Sequence, residues 1–186
     1  MTKQIYDLVV TEWIGRAGCA QIYAANRDKI REHFAPAFIR VLEERIPERE
    51  QDTRTPDEKR EAIELVLGAS GAAAPSFREV GEGGIWSALW NLAEALQCGL
   101  RAEIDRIPLK QETIEVCEFC GAHPYYLAGG PEVLCIACEH GKMLCDRLHE
   151  QGIAACCIGY TTQDHDRILK HGSSIRYLDK PRNAVM

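Results

Sequence analysis

Four cysteines in two pairs constrain this chain more than any other feature. Cys117-Glu-Phe-Cys120 and Cys135-Ile-Ala-Cys138 write the pattern C-x2-C-x14-C-x2-C. Two thiols three residues apart can turn to one side of a backbone knuckle. Two knuckles on a hairpin complete a tetrahedron of thiolates around one zinc ion, with Zn–S near about 2.3 Å. The nine cysteines are an odd number, and the N-terminus MTKQIYDLVVTEW holds Asp7 and Glu12 without a small-residue cleavage site. Both features favour metal binding in a reducing compartment over a disulfide framework, so a cytoplasmic location is expected.

Local punctuation supports a hairpin. Gly121 follows the first pair, Gly129-Gly130-Pro131 supplies a turn midway, and Thr113-Ile114-Glu115-Val116 reads as a strand. Residues 113–140 thus resemble the zinc-ribbon class of four-cysteine modules. The resemblance implies one structural zinc held by Cys117, Cys120, Cys135 and Cys138. It also implies a docking element for nucleic acid or protein. His123, His140 and Cys145 stand near enough to replace a ligand. A rubredoxin-type iron site uses the same ligands at a longer separation. The plain alternative is four buried or redox-active thiols.

Around this segment the chain reads as α+β: a helical N-terminal region, a central zinc ribbon and a small α/β C-terminal tail. Residues 1–108 are expected as a helical domain, and residues 109–186 as the ribbon with a β-α-β segment. Helices are expected over 2–14, 17–26 and 27–46, the last restarting at Pro36. Residues 47–55 read as a charged loop. Thr55-Pro56-Asp57-Glu58 is a capping box opening a helix that stops at Gly68. Residues 68–84 read as a flexible Gly/Ala hinge. Ile85, Leu89, Leu92, Leu96, Leu100 and Ile104 then form one helical stripe. Beyond the ribbon, a helix over 140–151, a strand over 153–160, a helix over 162–171 and a strand over 175–178 are expected.

The net charge of −6 makes the whole chain a poor generic nucleic-acid coat. The charge is uneven, with −5 in residues 1–116 and −1 in residues 117–186, which also hold five of the six histidines. An anion-binding face is therefore expected in the C-terminal part, built from Tyr125, Tyr126, Arg167, Lys170, Arg176, Lys180 and Arg182. One tyrosine of the pair should face outward for stacking. Arg167 and Lys170 should share a helix face. Asp164-His165-Asp166 suits a helix start as well as acid/base work. Cys156 and Cys157 read as packing, as do Cys19 and Cys98.

No apolar stretch is long enough to cross a membrane. P-loop, dinucleotide-binding, His-Glu-x-x-His and Gly-x-Ser-x-Gly signatures are missing. Gly81-Glu82-Gly83-Gly84 precedes a helix but follows no evident strand, and Glu82 would repel phosphate. These features predict a non-enzymatic zinc-binding accessory subunit of a nucleic-acid-processing or ribonucleoprotein complex, with a protein partner on its acidic helices. The alternative is a protein-interaction regulator or inhibitor that uses those helices. A third reading is an enzyme using the histidine-rich tail.

Overall fold

A computed structural model of the chain describes residues 4–45, 53–69 and 76–181. Among these, the strands are β1 (Asp7–Thr11), β2 (Ser76–Glu79), β3 (Gly99–Glu103), β4 (Leu134–Cys138), β5 (Ala155–Thr162), β6 (Arg167–His171) and β7 (Ser174–Tyr177). They form one sheet in the order β2-β4-β1-β5-β3-β6-β7. Neighbours run antiparallel except β3 and β6, which are parallel. The helices are α1 (Arg16–Ala25), α2 (Arg27–His33), α3 (Pro36–Arg45), α4 (Pro56–Ala69), α5 (Gly84–Leu96), α6 (Gln111–Cys120) and α7 (Gly141–Glu150). This seven-stranded mixed sheet with helices corrects the expectation of a helical domain followed by a ribbon and an α/β tail. Strands from both ends of the chain share the sheet. No helix among the described residues is long and apolar enough to cross a membrane.

The largest correction is at the N-terminus. Residues 7–11 form a strand at the middle of the sheet, between β4 and β5, where a helix was expected. Leu8 and Val10 enter the core under α5, and Val9 enters the core under α4 and α7. A strand buried on both faces is a continuous apolar run, so its period of two is invisible in the sequence. Strand β4 repeats this arrangement, with Cys135 and Ala137 in the first core and Leu134, Ile136 and Cys138 in the second.

Four further expectations change type. Residues 111–120 are helical although Thr113, Ile114 and Val116 favour strands. Glu112, Thr113, Val116 and Cys117 are buried at helical spacing against a third cluster formed by α1, α2 and α3. The long stripe breaks after Leu96, where Gln97 takes φ +50° and ends α5. Leu100 then belongs to β3. Residues 167–171 are strand, with Leu169 in the first core. Within the hinge, residues 76–79 form the edge strand β2 on β4.

Several readings hold. Thr55 Oγ1 accepts from the Glu58 amide at 3.2 Å, and Glu58 accepts from the Thr55 amide at 2.6 Å, which closes the capping box at the start of α4. Helices α1 and α7, strands β5 and β7 and the restart at Pro36 all fall where expected. The charged loop expected over 47–55 lies largely outside the described residues.

Strand β5 carries a bulge at Ile158, since Leu8 opposes Gly159 while Val9 opposes Cys157. A Cβ at Gly159 would sit 2.0 Å from the Arg101 carbonyl oxygen, so only glycine lets β3 approach.

Candidate functional site

Strands β1 and β2 are parallel to each other through β4, so their C-terminal ends open onto one edge of the sheet. Helices α1 and α5 begin there. Both starts use glycines in the left-handed region: Gly15 at φ +73°, and Gly83 and Gly84 at +78° and +63°. The segment Pro124–Ala128 lies between the two starts. A Cβ at Gly15 would approach the Pro124 carbonyl oxygen to 2.9 Å, and one at Gly84 would reach the Tyr125 carbonyl oxygen at 2.2 Å. The glycines therefore let two helix N-termini close on one short loop.

On the α5 side, this convergence builds an aromatic and basic cavity. Trp86 stacks on Tyr125 with ring centroids 4.8 Å apart and planes at 17°. The Arg176 guanidinium lies over Trp86 at 5.2 Å. A cavity of about 550 Å³ opens beside them, lined among others by Gly83, Ser87, Tyr126, Arg176 and Lys180. His123 packs edge-on to Tyr126. Burial lowers the His123 pKa, and Arg176 lowers it further, which favours the neutral imidazole. Burial raises the Tyr125 phenol, and Asp105 adds to the rise.

On the α1 side the edge is charged and closed. Glu12 ends β1 at φ +52°, a strained value for a residue with a Cβ. Its buried carboxylate meets buried Lys59 of α4 at 3.6 Å. Arg16 pairs with Glu132, which is wholly buried. Thr11 Oγ1 donates to the Glu132 carbonyl and accepts from the Leu134 amide, which ties β1 to the loop before β4. Cations and anions balance here, and the arrangement fixes the edge that carries the cavity.

The residues singled out in the sequence scatter. Cys117 is buried on α6 and Cys120 is its last residue, followed by Gly121 at φ +68°. Cys135 and Cys138 point to opposite faces of β4. The four thiols do not converge, and no group of three or more His, Cys, Asp or Glu among the described residues could hold a metal ion. The zinc-ribbon reading is corrected on that geometry. Tyr125 is stacked inward, while Tyr126 is 53% exposed. Arg167 lies 3.8 Å over Trp90 and pairs with Glu94, far along α5. Lys170 is exposed on the other face of β6, so the basic helix face does not exist. Arg182 lies outside the described residues. Only Tyr126, Arg176 and Lys180 meet at the cavity, with Tyr125 behind them.

Asp164 accepts from Thr162 and from the Asp166 amide and pairs with Arg101 at 3.1 Å. It shapes the turn before β6, and the hydrogen bond from Thr162 is the main cause of its lowered pKa. Gly83, Trp86 and Ser87 also line the cavity, although the sequence marks Gly83 only as part of a glycine run, Trp86 only as core or a partner-helix interface, and Ser87 not at all. The glycine run was set aside because no strand was evident before it, yet β2 stands there.

Comparison with known proteins decides the family. The model for the C-terminal domain of AIR synthase related protein matches residues 17–172. The chain belongs to the AIR synthase related family. Among relatives of this AIR synthase related chain is a carbamoyl dehydratase HypE of Rhodobacter capsulatus, 32% identical over 100 residues. That match covers 50% of this chain and 29% of the relative. The solved Escherichia coli HypE superposes with a TM-score of 0.71 at 18% identity, over 98% of this chain and 51% of HypE. HypE in complex with ATP gives 0.63 at 17% identity, over 96% of this chain and 51% of that one. A HypE–HypF complex gives 0.62 at 15% identity, over 95% and 53%.

The chain thus spans about half the length of the solved proteins it superposes on. The structural likeness shows the fold. The family and its relatives overturn the expectation of a non-enzymatic zinc-binding nucleic-acid subunit, because the relatives carry the name of an enzyme. Nothing in the family match or the geometry supports a nucleic-acid face.

Proposed function

We propose that this AIR synthase related domain forms part of an ATP-using enzyme of the carbamoyl dehydratase type that serves hydrogenase maturation. In this reading the cavity at the start of α5 receives the phosphate-bearing ligand. The observation that carries it is the meeting of Arg176 and Lys180 with the Trp86 and Tyr126 rings beside the Gly83–Gly84 turn. Arg176 and Lys180 outnumber Asp179, the one acid among the described residues that lines the cavity, and so leave positive charge for phosphate. The rings offer a flat apolar wall, and the helix start adds a favourable dipole that opposes the repulsion from Glu82.

The chemistry needs such a group. Dehydrating a carbamoyl –C(=O)NH2 to a nitrile removes the carbonyl oxygen and both amide protons. Hydroxide is a poor leaving group, whereas an oxygen that carries a transferred phosphoryl group departs as phosphate. The role of this chain is to bind and orient the anion and to keep water from one wall of the site. The HypE–HypF complex supports a protein partner for this chain as well.

The test is a titration of intrinsic tryptophan fluorescence with ATP, with Trp13→Phe and Trp90→Phe in place so that Trp86 alone reports, repeated with Arg176→Ala and Lys180→Ala. Saturable quenching is expected, weakened roughly tenfold by each substitution, as loss of one charge-assisted contact implies. Quenching that is absent at millimolar ATP, or equal in all three proteins, sinks the cavity assignment.

A further inference from the structure

His123 opens the short 3₁₀ turn Pro124–Tyr126 that packs against the start of α5. The Tyr126 amide donates to the His123 carbonyl at 3.1 Å, and the Leu127 amide to that of Pro124 at 3.2 Å. In such a turn residues three apart eclipse, so His123 and Tyr126 leave it on one side. Their rings meet 5.2 Å apart at 80°, and the imidazole lies 5.5 Å from the Tyr125 ring. The backbone of the turn sits so close to Gly84 that a Cβ there would not fit. His123 is thereby fixed to the helix start. Among the described residues it is the one histidine with a ring contact to a side chain that lines the cavity.

The charges around the imidazole suit an anion. Arg176 of β7 acts on His123 and lines the same cavity, together with Lys180 and Asp179. Tyr125 and Tyr126 are the titratable neighbours on its own turn, and Asp105 acts on the Tyr125 phenol. Alone, an imidazolium beside Arg176 is a like-charge pair, which disfavours the proton. A phosphate held by Arg176 reverses the balance, because it is opposite in charge to both cations. His123 is exposed, so solvent can supply the proton.

We propose that His123 is a proton-linked ligand of the anion in this cavity: a phosphate bound at Arg176 draws one proton from solvent onto the imidazole, and the imidazolium holds the phosphate in return. This role rests on the assignment of the cavity to a phosphate-bearing ligand, and it gives that site a dependence on pH. No covalent bond forms or breaks. The coupling is reciprocal, since the factor by which the proton tightens phosphate is the factor by which phosphate tightens the proton. Burial, with Arg176, holds the free imidazole below the ordinary histidine value of about 6.5, and the bound anion moves it up. Between those two values each binding event takes up a proton. Affinity therefore falls as pH rises through that window and is level above it.

The experiment is an ATP titration of the chain in which Trp86 alone reports, at about pH 6, 7 and 8, with and without His123→Gln. The last ionisation of a phosphate group falls in this range, so the readout is the ratio of the two Kd values at each pH. The advantage of His123 over glutamine should grow at least about fivefold from pH 8 to pH 6, the lower end of ordinary coupling between sites. His149→Gln, on α7 against the other face of the sheet, should keep the profile of His123, with circular dichroism confirming both folds. A ratio that stays level with pH while ATP still binds overturns the role of His123 and leaves the cavity assignment standing. An equal change in His149→Gln overturns it as well, because the effect then belongs to no particular histidine. ATP that binds at none of these pH values overturns the cavity assignment and this role together.

Discussion

Cys117 and Cys120 occupy the last turn of α6, in a peripheral helical cluster, while Cys135 and Cys138 lie on β4 beside the middle of the sheet. Both pairs have the same spacing. On a helix, three residues return the side chain to within about 60° of its start, so the two thiols share a side. On a strand an odd step sends them to opposite faces, and Cys135 and Cys138 enter different cores. A Cys-x2-Cys pair reports a metal knuckle only when the backbone between the thiols is a turn. Here it is a helix in one place and a strand in the other.

The pH dependence of stability separates this arrangement from a thiolate cluster most strongly. Burial raises the Cys135, Cys117 and Cys145 thiols from 9.0 to about 12, and Cys19 and Cys138 to about 11. The folded state keeps these protons where the unfolded state has released them. Stability must then fall as pH rises above about 9, with little change from these groups below it. A tetrathiolate would do the reverse and lose its metal on the acid side as the thiolates take up protons. Thermal melts from about pH 6 to 11 should show the alkaline loss, with Cys135→Ala making its slope above about pH 9 shallower by the share of one thiol. A loss confined to the acid side breaks the comparison.

The next effect is smaller and residue-specific. Cys135→Ser places a hydroxyl in a closed apolar core and should cost about 1–3 kcal/mol. Cys120→Ser, half-exposed at a helix end, should stay within about 0.5 kcal/mol. Ligands of one ion would lose equal stability, so denaturant melts of the two variants sharpen the contrast. Equal losses would count against separate environments.

These environments also explain what the sequence revealed. The capping box at Thr55 and Glu58, the restart at Pro36 and the helix over 140–151 rest on local chemistry, and each was legible. Strand β1 was not, because an apolar run buried on both faces carries no period. Helix α6 was hidden by Thr113, Ile114 and Val116, whose strand preference gives way to burial against α1. The stripe from Ile85 to Ile104 concealed β3, since Leu100 falls at a helical interval while Gln97 had already turned the chain. For the site, the basic and aromatic residues Tyr126, Arg176 and Lys180 were visible, but Trp86 reads as core in any helix. What joins them is tertiary packing: β2, which leads into α5, and β7 are opposite edges of the sheet, yet Arg176 of β7 lies over Trp86 of α5 although some ninety residues separate them.

The smallest expected effect concerns chelation. Structural zinc contributes on the order of 10 kcal/mol in ribbon-type modules, so its removal would abolish their melting transition. With Cys135 and Cys138 on opposite faces of β4, EDTA should shift the Tm of this chain by less than about 1 °C. A larger drop, with one equivalent of zinc in the untreated protein, would also say where the ion sits. Cys135 lies in the core under α5 and cannot turn toward α6 without breaking its pairing with Val10 and Arg78. Burial is the larger cause of the raised Cys19 and Cys117 thiols, but Cys120 lies close enough to raise both, and Cys19 close enough to raise Cys117. A bound metal would therefore have to use the helix pair and rearrange α1 around it, while the strand pair stayed where it is.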